Sequence, residues 1–301
     1  MKIGTRGSAL ALAQTGTIAA ALEKQGVLVE LVTITTEGDA SKASLASLGG
    51  TGVFASALRD ALLDGRCDAV VHSLKDLPTA SFPGLSIGAI PRREDARDAL
   101  CARDGLTLDS LPEGATVGTG SPRRRAQLLS RRGDLIVSDL RGNVDTRLSK
   151  VGGDLDAVIL AAAGLARLGR LEAVTEFLGI DRWPTAPGQG ALAIEVRAGE
   201  ERSVSALDHK STRTLVDAER MVLALLEAGC AAPVGANAFI DDGLLFLSAR
   251  VYALDGTARL TSSHALYLAD VKDPGAELAE RVARELLDAG AATLAPLGAS
   301  R

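Results

Sequence analysis

The sequence predicts an α/β protein followed by a small α+β unit, and three features carry that reading. Short apolar runs rich in β-branched residues alternate with helix-like stretches as far as about residue 208, the pattern of layered α/β sheets. A charged break opened by proline at 91–95 and a proline- and glycine-rich one at 183–190 interrupt the series. Beyond residue 209 the order changes to a long helix, three strands joined by Asp-Gly turns, and a closing helix, which reads as an antiparallel sheet with helices.

Taken in order, Ile3-Gly4-Thr5 is a short strand and Ser8 the N-cap of a helix running to about Gln25. Arg6 and Ser8 therefore sit at a strand-to-helix turn, where the helix dipole and free N–H groups favour an anion. Residues 27–36 read as a strand ending at Glu37-Gly38-Asp39. Residues 41–51 are small and polar and read as a mobile loop; no Gly-Lys-Ser/Thr follows their glycines, so a phosphate loop is weakly supported. Phe54, Leu58 and Leu62 share one face of a helix over 54–63. Ala69-Val70-Val71 is a buried strand that delivers Lys75 and Asp76 side by side before Leu77-Pro78 stops it. Ligands of open α/β sheets sit beyond the carboxyl ends of strands, so Lys75 and Asp76 are candidate site residues, against the plain alternative of a surface ion pair.

A strand over 85–90 precedes a hinge at Pro91-Arg92-Arg93-Glu94-Asp95. Strands at 99–102, 116–119, 135–138 and 156–160 follow, with helices between, and another strand at 191–196 comes after the second break. The last part reads as a helix over 211–227, strands at 236–240, 244–252 and 259–268, and a helix over 274–287.

Composition excludes several functions. A net charge of −5 and 3% aromatic residues argue against binding nucleic acid by bulk charge or base stacking. Cys67, Cys101 and Cys230 are scattered without pairing, which suits a reducing compartment. The start has no apolar signal core, and the most apolar run, 157–166, is far short of the roughly 20 residues that span a bilayer. A cytoplasmic protein without a membrane partner is expected. The three histidines lie far apart in sequence, so a histidine-rich metal site is not.

The strongest charge anomaly is 121–150, with eight basic and three acidic residues in a chain that is acidic as a whole. Ser121 reads as an N-cap and Pro122 as the first helical residue, which puts Arg123 and Arg124 in the first turn. Cations there oppose the helix dipole, so an anion should offset them. Arg141 ends the next strand, and Arg147 falls one turn into the helix after it. Arginine suits carboxylate or phosphate because its fork binds bidentately. Arg131 and Arg132 read as a solvated face. Cys230 lies in Gly229-Cys230-Ala231, a loop of small residues where a bulky group could attach; a small buried hydrophobe is the alternative.

His72-Ser73-Leu74-Lys75-Asp76, Thr119 to Arg124 (TGSPRR), Leu140 to Leu148 (LRGNVDTRL), Ala186 to Glu195 (APGQGALAIE) and the Gly229-Cys230 loop stand together, in this order, as a resemblance to the porphobilinogen deaminase family. It covers essentially the whole chain. The resemblance implies two periplasmic-binding-protein-like lobes with mixed, mostly parallel sheets, 1–91 with 188–208 and 92–187, plus a cofactor-bearing domain at 209–301. It implies a dipyrromethane cofactor in thioether linkage to Cys230. It also implies porphobilinogen as substrate, four units being joined stepwise, head to tail, onto that cofactor with loss of ammonia and the linear tetrapyrrole then released by hydrolysis, and a monomer. By resemblance Lys75, Asp76, Thr119, Ser121, Arg123, Arg124, Arg141 and Gly142 hold the cofactor, and Arg6, Ser8, Arg141, Arg147, Arg167 and Gln189 the substrate. Asp76 matches the catalytic carboxylate, which steadies the cation left when ammonia departs. Ser47 and Thr51 stand where the family often has lysine. A two-lobed anion-binding module without catalysis is the competing reading; it explains the arginines but not Cys230. A pyridoxal enzyme using Lys75 lacks a matching phosphate cup.

Overall fold

The computed structural model describes residues 1–35, 52–229 and 232–298. In chain order it contains β1 (Lys2–Arg6), α1 (Ala9–Glu23), β2 (Glu30–Ile34), α2 (Gly52–Leu63), β3 (Ala69–Ser73), a 3-10 turn at Leu74–Asp76, and β4 (Leu85–Ala89). There follow β5 (Asp98–Ala102), β6 (Thr116–Gly118), α3 (Pro122–Arg131), β7 (Ile136–Ser138), α4 (Val144–Leu148), β8 (Ala157–Ala161), α5 (Ala162–Arg167) and β9 (Glu176–Leu178). The chain ends with β10 (Leu192–Arg197), α6 (Lys210–Leu225), β11 (Val234–Asp241), β12 (Leu244–Tyr252), β13 (Arg259–Tyr267), α7 (Pro274–Asp288) and α8 (Ala291–Leu294). Ser41 to Thr51, including Ser47 and Thr51, lies outside the described residues.

One compact unit comprises Met1–Glu94 and Gly190–Thr214. Its sheet has the order β2-β1-β3-β10-β4. β1 is parallel to β2 and β3, while β10 is antiparallel to β3 and β4. Four strands therefore point one way and only β10, which enters from a distant part of the chain, points the other. Val70 packs into a core with Leu58, Leu62 and Leu85, whereas Ala69 and Val71 pack into another with Ile3, Ile18 and Ile194. Alternate residues of one strand thus fill cores on opposite faces, which explains why the run is apolar without alternation.

The other unit comprises Asp95–Gln189 and Leu215–Arg301. Its first sheet, β7-β6-β8-β5-β9, repeats the plan: β6 is parallel to β7 and β8, and β5 is antiparallel to β8 and β9. β9, Glu-Phe-Leu, opens on a charged residue and buries only Leu178, so it shows no apolar run in the sequence. Its second sheet, β11-β12-β13, is wholly antiparallel. Leu245, Leu247 and Val251 of β12 pack with Leu278, Val282 and Leu286 of α7, joining a period-two strand face to a helical one. Both sheets belong to an α/β architecture with an antiparallel α+β portion at the C-terminal end.

The β12–β13 turn carries Gly256 at φ +75°, and a Cβ there would lie 2.6 Å from Ser130 N and 2.7 Å from Ala126 O of α3. Backbone atoms cannot yield as a side-chain tip can, so Gly256→Ala should destabilise the protein by roughly 1–3 kcal/mol. Thermal denaturation should show a fall of several degrees; an unchanged Tm would contradict this contact.

Candidate active site

β3 is buried along Ala69, Val70 and Val71, which fixes where its carboxyl end emerges. Leu74, fully buried, and Leu77, 4% exposed, then anchor the turn on either side of Lys75 and Asp76, and Leu74 N–H donates to Ala191 O at 3.0 Å. Lys75 is left half-buried and Asp76 exposed. The Asp76 carboxylate has no hydrogen bond or ion pair among the described residues. β1 runs parallel to β3, so Arg6, at the end of β1, stands at the carboxyl end of the neighbouring strand. Ser8 caps α1 as expected, its Oγ accepting from Ala11 N–H at 3.3 Å. The same unit encloses a buried polar trio the sequence did not reveal. Arg59 grips Glu195 through Nε and Nη2 at 2.8–3.1 Å, and His72 Nε2 lies 3.2 Å from the same carboxylate.

In the other unit, the candidates cluster beyond the carboxyl ends of three parallel neighbours, β7, β6 and β8. Thr119 follows β6 and is buried; its N–H donates to Ser138 O at 3.0 Å. Ser121 caps α3, its Oγ accepting from Arg124 N–H at 3.4 Å, with Pro122 in the first turn. Arg141 follows β7 and donates from Nε to Asp139 at 3.3 Å. Gly142 has φ +104°, and a Cβ there would lie 3.0 Å from the Thr146 methyl. That left-handed turn presents the Gly142 carbonyl to Arg147 Nε at 2.7 Å. Arg167 closes α5, which follows β8.

Arg123, Arg124 and Gln189 differ from expectation. Their side chains are buried, at 4%, 6% and 0% exposure, and the anion beside the arginines is the protein's own Asp98. Asp98 Oδ2 accepts from Arg123 Nη1 at 2.9 Å and Trp183 Nε1 at 2.9 Å. Its Oδ1 accepts from Arg124 Nη2 at 2.6 Å and Gln189 Nε2 at 2.8 Å. Gln189 also donates to Ala96 O at 2.8 Å, so its amide nitrogen is engaged in the interior. Burial opposes the charge on Asp98, but the two guanidiniums outweigh it and hold the carboxyl well below the usual carboxylate range. A carboxyl so depressed supports the fold fully above its ordinary range and ceases to do so only in strong acid. Burial conversely draws Arg123 below its ordinary value, against the pull of Asp98.

The balance is incomplete. Two cations share one anion, and Arg124 Nε is buried with no hydrogen-bond partner among the described residues. Among the described residues, every side-chain hydrogen bond of Arg123 leaves from Nη1, to Asp98, Gln127 Oε1 and Pro184 O. The pair thus carries more positive charge than Asp98 alone offsets.

Sequence reasoning missed Asp98, Gln127 and Trp183. The available signal was an acid opening a buried strand in a chain with a strongly basic helix. Arg132, read as a solvated face, instead donates to Leu108 O at 2.9 Å and Leu111 O at 3.0 Å and pairs with Asp134 at 2.6 Å. It fastens the loop before β6 to the end of α3.

Cys67 and Cys101 are buried, at 0% and 2% exposure. Burial raises both thiols, that of Cys101 to about 11. Cys230 lies outside the described residues; beside it Gly229 O accepts from Ala232 N–H at 3.0 Å.

Comparison with known proteins was made over the whole chain. Residues 1–205 match the family described as "Porphobilinogen deaminase, dipyromethane cofactor binding domain", and residues 213–288 match "Porphobilinogen deaminase, C-terminal domain". A porphobilinogen deaminase of Leifsonia xyli is 61% identical, covering 99% of this chain and 94% of that protein. One from Cutibacterium acnes is 50% identical, covering 100% and 98%, and one from Thermobifida fusca 51%, covering 96% and 94%. Among solved structures, a methionine-bound nutrient-binding protein from Burkholderia cenocepacia is similar at a TM-score of 0.43 and 16% identity, over 69% of this chain and 89% of that one.

Proposed function

The chain belongs to the porphobilinogen deaminase family, the hydroxymethylbilane synthases, and we propose that Asp76 is its catalytic carboxylate and Cys230 the attachment point of its dipyrromethane. The protein is a transferase of tetrapyrrole biosynthesis that joins four porphobilinogens head to tail with loss of ammonia. The observation that supports this reading of the arginines is the unpartnered Nε of Arg124 beside two cations that share one anion. A buried guanidinium nitrogen without an acceptor, beside a surplus positive charge, fits a cofactor and substrate that bear carboxylates.

When bound, the dipyrromethane supplies the pyrrole carbon onto which porphobilinogen units are joined. Lys75, Thr119, Ser121, Arg123, Arg124, Arg141 and Gly142 are the residues that would hold it. Arg6, Ser8, Arg147 and Arg167, with Arg141, would take the carboxylates of incoming substrate. Lys75 acts as a fixed cation, not as a Schiff base. Loss of ammonia from the aminomethyl group leaves a cationic substrate. Asp76, exposed and with no cation bound to it among the described residues, can steady that charge and move the pyrrole proton. Gln189, the remaining substrate candidate, donates its amide N–H groups to Ala96 O and Asp98. The reading extends to three domains, 1–91 with 188–208, 92–187 and 209–301, and to a cytoplasmic monomer that engages neither nucleic acid nor membrane; the net charge of −5 supports the former exclusion.

Incubation with porphobilinogen tests the activity: the protein should consume it and release one ammonia for each unit joined. A binding module would do neither. Thiol counting tests the attachment. The chain has three cysteines, so with Cys230 blocked the unfolded protein should take label at Cys67 and Cys101 alone, and the native protein at neither. Labelling of Cys230 in the unfolded holoprotein would refute the linkage.

A further inference from the structure

We propose that Asp98 is a positioning residue for carboxylate recognition: it holds Arg123 and Arg124 together so that their remaining donors meet a carboxylate of the bound pyrrole chain. The proposal rests on the reading of those two arginines as carboxylate anchors. A carboxylate offers about four lone-pair sites, and four donors converge on Asp98, from Arg123, Arg124, Trp183 and Gln189. Asp98 is therefore saturated and has no capacity left for an outside donor. Arg124 is not: its buried Nε has no hydrogen-bond partner among the described residues, and those of the Arg123 side chain all leave from Nη1. Two guanidiniums buried together repel one another, and a single fixed anion between them both relieves that repulsion and sets the direction of each fork.

The network reaches further than the pair. Gln127 Nε2 donates to Pro184 O at 2.8 Å, the same carbonyl that accepts from Arg123 Nη1 at 3.1 Å. Thr185, the next residue, exchanges hydrogen bonds with Asn237 of β11 at 2.8 and 2.9 Å. Segment 183–189 thus ties Asp98 to the antiparallel sheet whose first strand follows the Cys230 loop. Trp183 is the only tryptophan of the chain and is fully buried. Its indole N–H is bonded directly to Asp98, so its emission reads the state of this carboxylate.

Asp98→Asn tests the idea in the full-length protein. An amide has one acceptor oxygen and turns an NH2 towards donors, and the charge surplus rises by one. Expected are a smaller cofactor-bearing fraction by intact mass and a KM for porphobilinogen raised roughly ten- to hundredfold, the loss of one charge-assisted hydrogen bond, with kcat changed less. A folded Asp98→Asn protein with full cofactor and unaltered KM overturns the proposal. If that variant does not fold, tryptophan emission decides: loaded wild type and unloaded Cys230→Ala should differ in emission maximum, and identical spectra overturn it. Arg123→Leu and Arg124→Leu separate the two readings. If both load and bind normally, the anchors themselves are wrong; if they fail while Asp98→Asn does not, only the role of Asp98 falls.

Discussion

Cys230→Ala should yield a folded protein whose mass equals its sequence and whose consumption of porphobilinogen is at background. The linkage needs a nucleophilic sulfur, and neither of the other thiols can replace it. Cys67 and Cys101 are enclosed in the cores of their units, and burial raises both thiols above their ordinary value. Alanine is a mild replacement, since Ala228, Ala231 and Ala232 already surround the position in sequence. Intact mass and an assay of substrate loss check the two halves separately. A Cys230→Ala protein that still carries a dipyrromethane, or turns over near the native rate, would contradict the assignment.

Asp76→Asn should fold, keep the cofactor and lose about 10²–10⁴ in turnover, the usual worth of a positioned proton-transfer or charge-stabilising group. The turn around it is set by Leu74 and Leu77, not by the carboxylate, which has no partner among the described residues. The amide keeps the size and removes the charge. Stability should accordingly stay within about 0.5 kcal/mol of wild type, as for exposed positions generally. Turnover within tenfold of native would remove Asp76 from its role, and loss of folding would show that the exposed carboxylate has a structural partner.

The local grammar of the fold was readable in the sequence. Ser8 and Ser121 cap the helices they were expected to cap, and the run at 69–71 is apolar throughout because both faces of its strand are covered. The Asp242-Gly243 turn follows from two consecutive residues at positive φ, 44° and 75°. What the sequence could not show was pairing at a distance. Arg123 and Arg124 announce a need for an anion through their place in the first turn, but nothing local says that Asp98, 25 and 26 residues away, meets part of it. Gln189 and Glu195 sit in one recognisable motif, yet both are interior hydrogen-bonding groups. A motif marks where the chain is constrained; only the packing tells which of its side chains face a ligand.

The most direct measurement is the intact mass of the wild-type protein before and after addition of a few equivalents of porphobilinogen. A pocket of fixed arginines holding a tethered, growing pyrrole chain predicts a starting mass above the sequence by one dipyrromethane, then discrete gains of whole pyrrole units. A protein of bare sequence mass that consumes porphobilinogen all the same would contradict it.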